Sequence, residues 1–419
     1  MTTLVRSAGP RHARLPEYGP SRRIYLPRLA DAAASSMATY TIPLLVLATT
    51  DSTSLTGIAF MLAWVPRLST FGMAGSAVDR FGAARVFRLA ATARAGVVGL
   101  SALVLAFAQD HTATVVVMLL AACTGFLTEF SYIAAESAGA EASREAADGA
   151  HRVQSVLLGI DQGAALAGPA AGGLLLQWTG STGMLAAIGG LSLLAAAITP
   201  RVRGARPTAA MSLTDSLRTG WSTLRALPAL RCLVVGLALS NLALAVLEAA
   251  VPVILVKQHG HTSASVGVVW SAAAAASLAA IAVCRFAIDR WGLSSVGRVA
   301  ACVASLTCFA LAQADAYPTY LLLIAAFMAG DGVLTVVLRT LRSHLIPAAV
   351  FGSTLSLTVL LLLLPYPLAG ILVATTPPAA LDHVITACAV LQALGLAIAF
   401  TVTKDPRTRS GGRHRKSRP

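Results

Sequence analysis

Charge is what this 419-residue chain has least of. Only 12% of its residues are Asp, Glu, Lys or Arg, against about 25% in an ordinary soluble protein. So few charges cannot cover a water-facing surface of this size, which excludes a soluble all-helical protein. Cysteine is sparse too. Cys123, Cys232, Cys284, Cys302, Cys308 and Cys388 all fall in apolar stretches and none belongs to a CxxC pair. They read as small packing residues and exclude a disulfide framework or a thiolate metal site. The eight histidines lie mostly at ends and in links, without metal-ligand spacing, so no metal is expected. The polar segments hold no glycine-rich nucleotide loop and no grouping of Cys, His and Asp. Alternate links are only a few residues long, too short to build a substrate pocket. These absences exclude an enzyme and leave no cofactor to expect.

What is present is apolar length. Hydrophobic residues make up 56% of the chain, in runs such as 100–107, 115–122 and 355–364 bounded by polar turns. Spans of about 20 apolar residues match the thickness of a bilayer core. The reading is an all-α membrane protein with twelve transmembrane helices in two pseudo-symmetric six-helix bundles. A polar tail covers 1–24, the first bundle 25–199, a connector with six arginines 200–231, the second bundle 232–403, and a basic tail 404–419. No cleavable signal peptide is visible, because the first apolar run is long enough to span.

The net charge of +14 raises the question of nucleic acid, and its placement answers it. Of the 32 Lys and Arg, 28 fall in the two tails and in alternate links. The other set of links together holds only Lys257, and Arg28, Arg67 and Arg94 lie inside apolar spans. This asymmetry follows the positive-inside rule and puts both termini in the cytoplasm. The basic C-terminal tail suits anionic lipid head groups, and no nucleic-acid partner is expected. The abundance of Ala and Arg with little Lys points to a GC-rich bacterium, hence to its inner membrane.

The chain is organised around one polar link, Gly75-Ser76-Ala77-Val78-Asp79-Arg80-Phe81-Gly82-Ala83-Ala84-Arg85, between spans 2 and 3. A weaker copy, Ile288-Asp289-Arg290-Trp291-Gly292, follows about 210 residues later. An acid and bases at a helix end can pair with neighbouring helix ends, and glycine permits the tight turn. With twelve spans, two similar halves and a long basic connector, these residues resemble the major facilitator superfamily of transporters. The link is similar to that family's signature at Gly75, Asp79, Arg80, Gly82 and Arg85, although Val86 stands where a further basic residue is usual. The resemblance implies a latch between helix ends that stabilises an outward-open state, with Asp289 and Arg290 as its second copy.

Span 5 carries Gly163, Gly168, Pro169, Gly172 and Gly173 in a run of small residues. Small residues let helices approach closely in lipid, and proline removes a helix hydrogen bond and bends the span. The run is similar to the span 5 motif of exporting members of the family, which implies efflux. Pro365-Tyr366-Pro367 should bend span 11.

The chemistry is expected at ionisable residues inside the spans, where charge is costly and faces a cavity or a partner. At the helical rise, Asp31 lies about 9 Å, Asp161 about 12 Å and Arg67 about 15 Å from the cytoplasmic side. Arg28, Asp31 and Arg67 should form one charge cluster, with Glu129 at a similar height. Asp161 and Glu129 have no evident basic partner beyond Arg67. Glu248 and Asp331 supply acids from the second half. An acid in a low-dielectric site holds a proton more tightly than in water, so alternating exposure would couple protons to substrate. The expectation is a monomeric, proton-coupled exporter of a small organic molecule such as a drug-like metabolite, antibiotic or siderophore. Uptake symport of a small polar or anionic nutrient by the same fold is the alternative.

Overall fold

The computed structural model describes residues 24–107, 110–145, 150–200, 213–347 and 350–402. The two tails and connector residues 201–212 lie outside these. The described helices are α1 Leu26–Thr50, α2 Thr53–Phe81, α3 Ala83–Leu105, α4 Asp110–Glu145, α5 Ala150–Ile198, α6 Leu213–Ala226 and α7 Pro228–Val253. There follow α8 Ser263–Trp291, α9 Leu293–Leu311, α10 Tyr317–Leu345, α11 Phe351–Leu363, α12 Pro365–Thr375 and α13 Leu381–Val402. Among the described residues ten stretches are long and apolar enough to cross a membrane. This is a multi-pass, all-helical membrane protein.

Two breaks matter. The 49-residue α5 is too long for one crossing and turns at Gly180, with φ 69° and ψ −169°, a conformation open essentially to glycine alone. The helix runs through Pro169 with helical φ and ψ, so the break between its two arms is made by Gly180 and not by the proline. Between α11 and α12 the helical hydrogen-bond ladder is interrupted at Leu364, because Pro365 and Pro367 offer no backbone N–H, while Leu364 itself keeps helical φ and ψ of −57° and −33°. Asn241 of α7 donates from Nδ2 to the carbonyl of Leu362 at 2.7 Å, tying this turn to α7. The end of the connector forms an amphipathic helix, α6, which packs on α11 through the Leu224 cluster.

The internal repeat is visible in local detail. Both α2 and α8 are 29 residues long, and each is capped by a hydroxyl, Ser52 and Thr262, accepting from the backbone N–H three residues on at 3.3 Å. Each ends at a glycine of positive φ, Gly82 at 84° and Gly292 at 80°. Starts and ends are both offset by 210 residues (263 − 53 and 292 − 82). The organising link and its copy are therefore the same helix-end turn made twice.

Packing follows the same scheme. Helix α4 packs on α2 and α3, and α5 on α1 and α3; likewise α10 packs on α8 and α9, and α13 on α7 and α9. Lipid supplies no hydrophobic drive between helices, so close contact relies on small residues. Gly125 of α4 abuts the backbone of Ala63 in α2, and Gly236 of α7 abuts Gly395 in α13.

The main seams between the earlier and later helices are α5 against α8 and α2 against α12. Close approaches across them lie toward the short loops at 51–52, 259–262 and 376–380. A Cβ on Gly57 would come within 2.6 Å of the Gly370 carbonyl oxygen, and one on Gly370 within 2.7 Å of the Gly57 oxygen. Gly173 abuts Ser263, Gly267 abuts Pro169, and Ser271 Oγ accepts from the Ala170 N–H at 3.1 Å. Toward the connector, Gly75, Gly159 and Gly163 have open space where a methyl group would point, and α11 packs on α6, α7 and α12. Gly57→Val should hold this seam apart while leaving the packing within each half intact. Spin labels at positions 54 and 375, in a cysteine-free background, would report a wider distance than in the parent; an unchanged distance would mean that the seam tolerates the added bulk.

Candidate functional site

The intramembrane charges fall into separate groups. The first is a knot inside the first half. Arg94 of α3 is fully buried and pairs through Nη2 with Asp31 of α1. Its Nε donates to Ser192 at 3.0 Å, and its Nη1 to Ser35 at 3.0 Å and Ser131 at 3.3 Å. One guanidinium thus joins α1, α3, α4 and the second arm of α5. The second group lies nearer the connector. Arg28 of α1 holds Asp161 bidentately at 2.8 and 2.7 Å, donates to Glu136 at 3.0 Å, and lies over the Tyr132 ring at 5.1 Å.

The expected cluster of Arg28, Asp31 and Arg67 is therefore not formed. Depth along the helix placed them at similar heights, but helix facing sends Asp31 to Arg94 and Arg28 to Asp161. The partner that Asp161 was expected to lack is Arg28. Arg94 was legible as a charge in an apolar span, yet nothing in the one-dimensional pattern pointed it at Asp31.

The third group lies where the halves meet. Arg67 of α2 stacks over Trp64 at 4.5 Å, and its buried Nε has no hydrogen-bond partner among the described residues. Trp64 stacks on Tyr366 of α12 at 3.9 Å, and Tyr40 of α1 meets Trp270 of α8 at 5.5 Å, so both aromatic pairs cross between halves. Arg67 is within electrostatic reach of Glu129 of α4 and Glu248 of α7, and Glu248 of Asp331 in α10. Among the described residues none of Arg67, Glu129, Glu248 and Asp331 has an ion pair within 4 Å. Behind Asp331 runs a chain that sequence reasoning missed. Gln392 of α13, fully buried, donates from Nε2 to Ser240 Oγ at 3.0 Å, and Ser240 donates to Asp331 Oδ1 at 3.2 Å. An isolated Gln in an apolar span was its signal. Among the described residues no three His, Cys, Asp or Glu side chains converge as metal ligands.

The organising link sits apart from these groups. Arg80 and Arg85 are exposed, with their guanidinium groups 5.3 and 5.9 Å from the Phe81 ring centre. The Asp79 side chain lies outside the described set, and Asp289 and Arg290 are exposed at the end of α8. Of the α5 motif, Gly168 abuts Ser36 and Gly172 abuts Thr41 on α1, while Gly173 faces α8 and Gly163 touches neither. At the opposite end Lys257, just past α7, pairs with Asp51 at 2.8 Å and also donates to its carbonyl, tying the halves together by the short loops.

The sequence profile of the Major Facilitator Superfamily matches residues 28–370. No curated protein matches the chain significantly in sequence. Solved structures share its fold. A bacterial homologue of the iron transporter ferroportin in the inward-facing state aligns with TM-score 0.73 at 14% identity, covering 91% of this chain and 98% of that one. Such a homologue in the outward-facing state aligns at 0.61 and 15% identity, covering 90% and 98%. The nucleoside transporter NupG aligns at 0.75 and 11% identity, covering 91% and 98%.

Proposed function

The chain belongs to the Major Facilitator Superfamily and is a membrane transporter, not an enzyme, and we propose that it exports a small organic molecule in exchange for protons by alternating access. The observation that carries this reading is the third charge group: Glu129 and Glu248, acids from the two halves without ion-pair partners among the described residues, lie within electrostatic reach of Arg67 at the seam on which the halves would rock. Counting the two arms of α5 separately and including α2 brings the ten span-forming stretches to twelve crossings. These divide into six-helix bundles at 25–199 and 232–403. The protein works as a monomer in the bacterial inner membrane with both termini in the cytoplasm.

The conformation described is then inward-facing. Its close seams lie by the short loops, and the likeness is greater to the inward-facing ferroportin homologue than to the outward-facing one. Among the described residues Arg80 and Arg85 make no latch contact across the halves, which fits this state, since the latch belongs to the opposite one. The close packing of Gly168 and Gly172 on α1 and of Gly173 on α8 suits a span that seals the route by the short loops.

The test is flux. Purified protein in proteoliposomes, given an imposed pH gradient and a panel of organic compounds, should dissipate the gradient with the compounds it carries. Accumulation of compounds without proton movement would replace antiport with facilitated diffusion or another coupling ion. Compound movement in the same direction as protons would replace export with symport.

A further inference from the structure

We infer that the groove between α8 and α9 holds one acyl chain of an anionic phospholipid, whose head group rests on Arg290 and Arg298. The site lies apart from the seam and does not depend on what is transported. Helices α8 and α9 both pack on α10 and hardly touch one another. Glycines of α10 draw them in: Gly332 abuts Ser277 of α8, and Gly330 abuts Ala300 and Ala304 of α9. The two walls stand apart over a floor of Ala329 and Gly330, and a cavity of about 680 Å³ opens between them. Sites that hold small molecules have about 300–1,000 Å³. The groove follows α8 from Ala280 to Trp291, about 16 Å at the helical rise. That is one leaflet of a hydrocarbon core about 30 Å thick. The main partners of α9 are α10 and α13, both of the second half, so the groove opens away from the seam and toward lipid. Val283 and Val299, on opposite walls, are 62% and 64% exposed there.

The chemistry changes along the groove. Its deep end is aliphatic, and its connector-side end carries the Ser295 hydroxyl and the Trp291 indole. An indole at the end of a span sits at the level of the head groups. The occupant is therefore an amphiphile drawn from the bilayer, with an apolar chain and a polar end. Charge at the polar end selects its head group. Arg290 and Arg298 are exposed. Arg298 donates from Nε to the Ser294 carbonyl at 3.3 Å, which keeps its guanidinium beside the first turn of α9. No side chain caps α9, which begins after Gly292, so its first N–H groups are left for an oxyanion. Asp289 is two residues from Trp291 and falls on the far side of α8 at 3.6 residues per turn. A basic hollow between spans, on the side of the basic links, suits an anionic lipid. In the orientation proposed above this is the cytoplasmic leaflet.

Native mass spectrometry of the full-length protein, released from nanodiscs of equal phosphatidylglycerol and phosphatidylcholine, counts the lipids it keeps. One phosphatidylglycerol should be retained in preference to phosphatidylcholine. Arg290→Gln should lower that preference about fivefold, the worth of one basic side chain at an anionic surface, and Arg290→Lys should restore most of it. Ala287→Phe puts a ring into the groove and should lose the retained lipid of either kind. Leu394→Phe adds a ring on the exposed face of α13 and should keep it. An unfolding midpoint is read for each variant; if Ala287→Phe does not fold, Arg290→Gln, at an exposed helix end, decides alone. Equal retention of the two lipids, a preference unchanged in Arg290→Gln, lipid kept by folded Ala287→Phe, or an equal loss in Leu394→Phe each overturns the proposal. So does a mass of two chains that Ala287→Phe reduces to one, which would make the groove an interface between copies.

Discussion

Arg94→Leu is expected to be the most destabilising single change in the membrane interior. It deletes the partner of Asp31 at a place with no water to replace it. Breaking a buried ion pair by removing one side costs about 3–5 kcal/mol, because the remaining charge is left uncompensated. Three serine hydroxyls lose their donor at the same time, and each buried polar group left unsatisfied adds about 1–3 kcal/mol unless it turns to a helix carbonyl. Ser192 and Ser131 have that escape, since each already bonds the carbonyl of the preceding turn. The pair then dominates. A thermal unfolding midpoint lowered by roughly 10 °C is the expected readout. The control is Arg94→Leu combined with Asp31→Leu, which removes both charges and should recover most of the loss. Arg94→Lys keeps the charge but not the planar fan of donors that reaches four helices, and should fall between. If the double variant is no better than the single, the arginine acts through packing and not through Asp31.

That knot also shows what the sequence could and could not convey. The fold was legible because lipid imposes one-dimensional rules. Span length, loop charge and the recurrence of Asp-Arg-aromatic-Gly read directly along the chain, and Gly82 and Gly292 adopt the positive φ that their places demand. The interruption of the helix ladder by Pro365 and Pro367 was legible for the same reason, since it follows from a missing N–H. Pairings between spans were not. Depth can be counted from the rise per residue, but the direction a side chain faces depends on helix rotation and on which helices touch. Asp31 and Arg67 share a height and face different neighbours; Arg28 reaches Asp161 across 133 residues of sequence. Gln392 was overlooked because a single amide in an apolar run carries no pattern until Ser240 and Asp331 are seen beside it.

Arg67→Gln should move binding and transport in opposite directions. In the seam group Arg67 is the one fixed cation among the described residues, within electrostatic reach of Glu129 of its own half and Glu248 of the other. For a cationic substrate, Arg67 is a competitor for Glu248. Removing the guanidinium takes away that competitor, so cation affinity should rise, by about tenfold if the competing contact is worth 1.4 kcal/mol. Transport has a second requirement, the return of the unloaded protein between its two states. During that step the seam closes over Glu248, and Arg67 is the group that balances its charge when no ligand is present. Without it the crossing buries a carboxylate with no nearby cation or waits for a proton, and the attraction lost at an effective dielectric of about 20 is worth a few kcal/mol. At 1.4 kcal/mol per tenfold, a slowing on the order of a hundredfold is expected in net efflux. Exchange of labelled for unlabelled ligand, which skips the unloaded return, should suffer far less. The measurement is the three-way comparison of equilibrium affinity, net efflux and exchange in one variant. A loss of affinity together with efflux would mean that Arg67 binds the ligand directly, which an anionic substrate would require. A uniform fall in net efflux and exchange would place its role in the loaded transition. Tighter binding, slow net efflux and preserved exchange would identify Arg67 as the internal cation that stands in for the substrate.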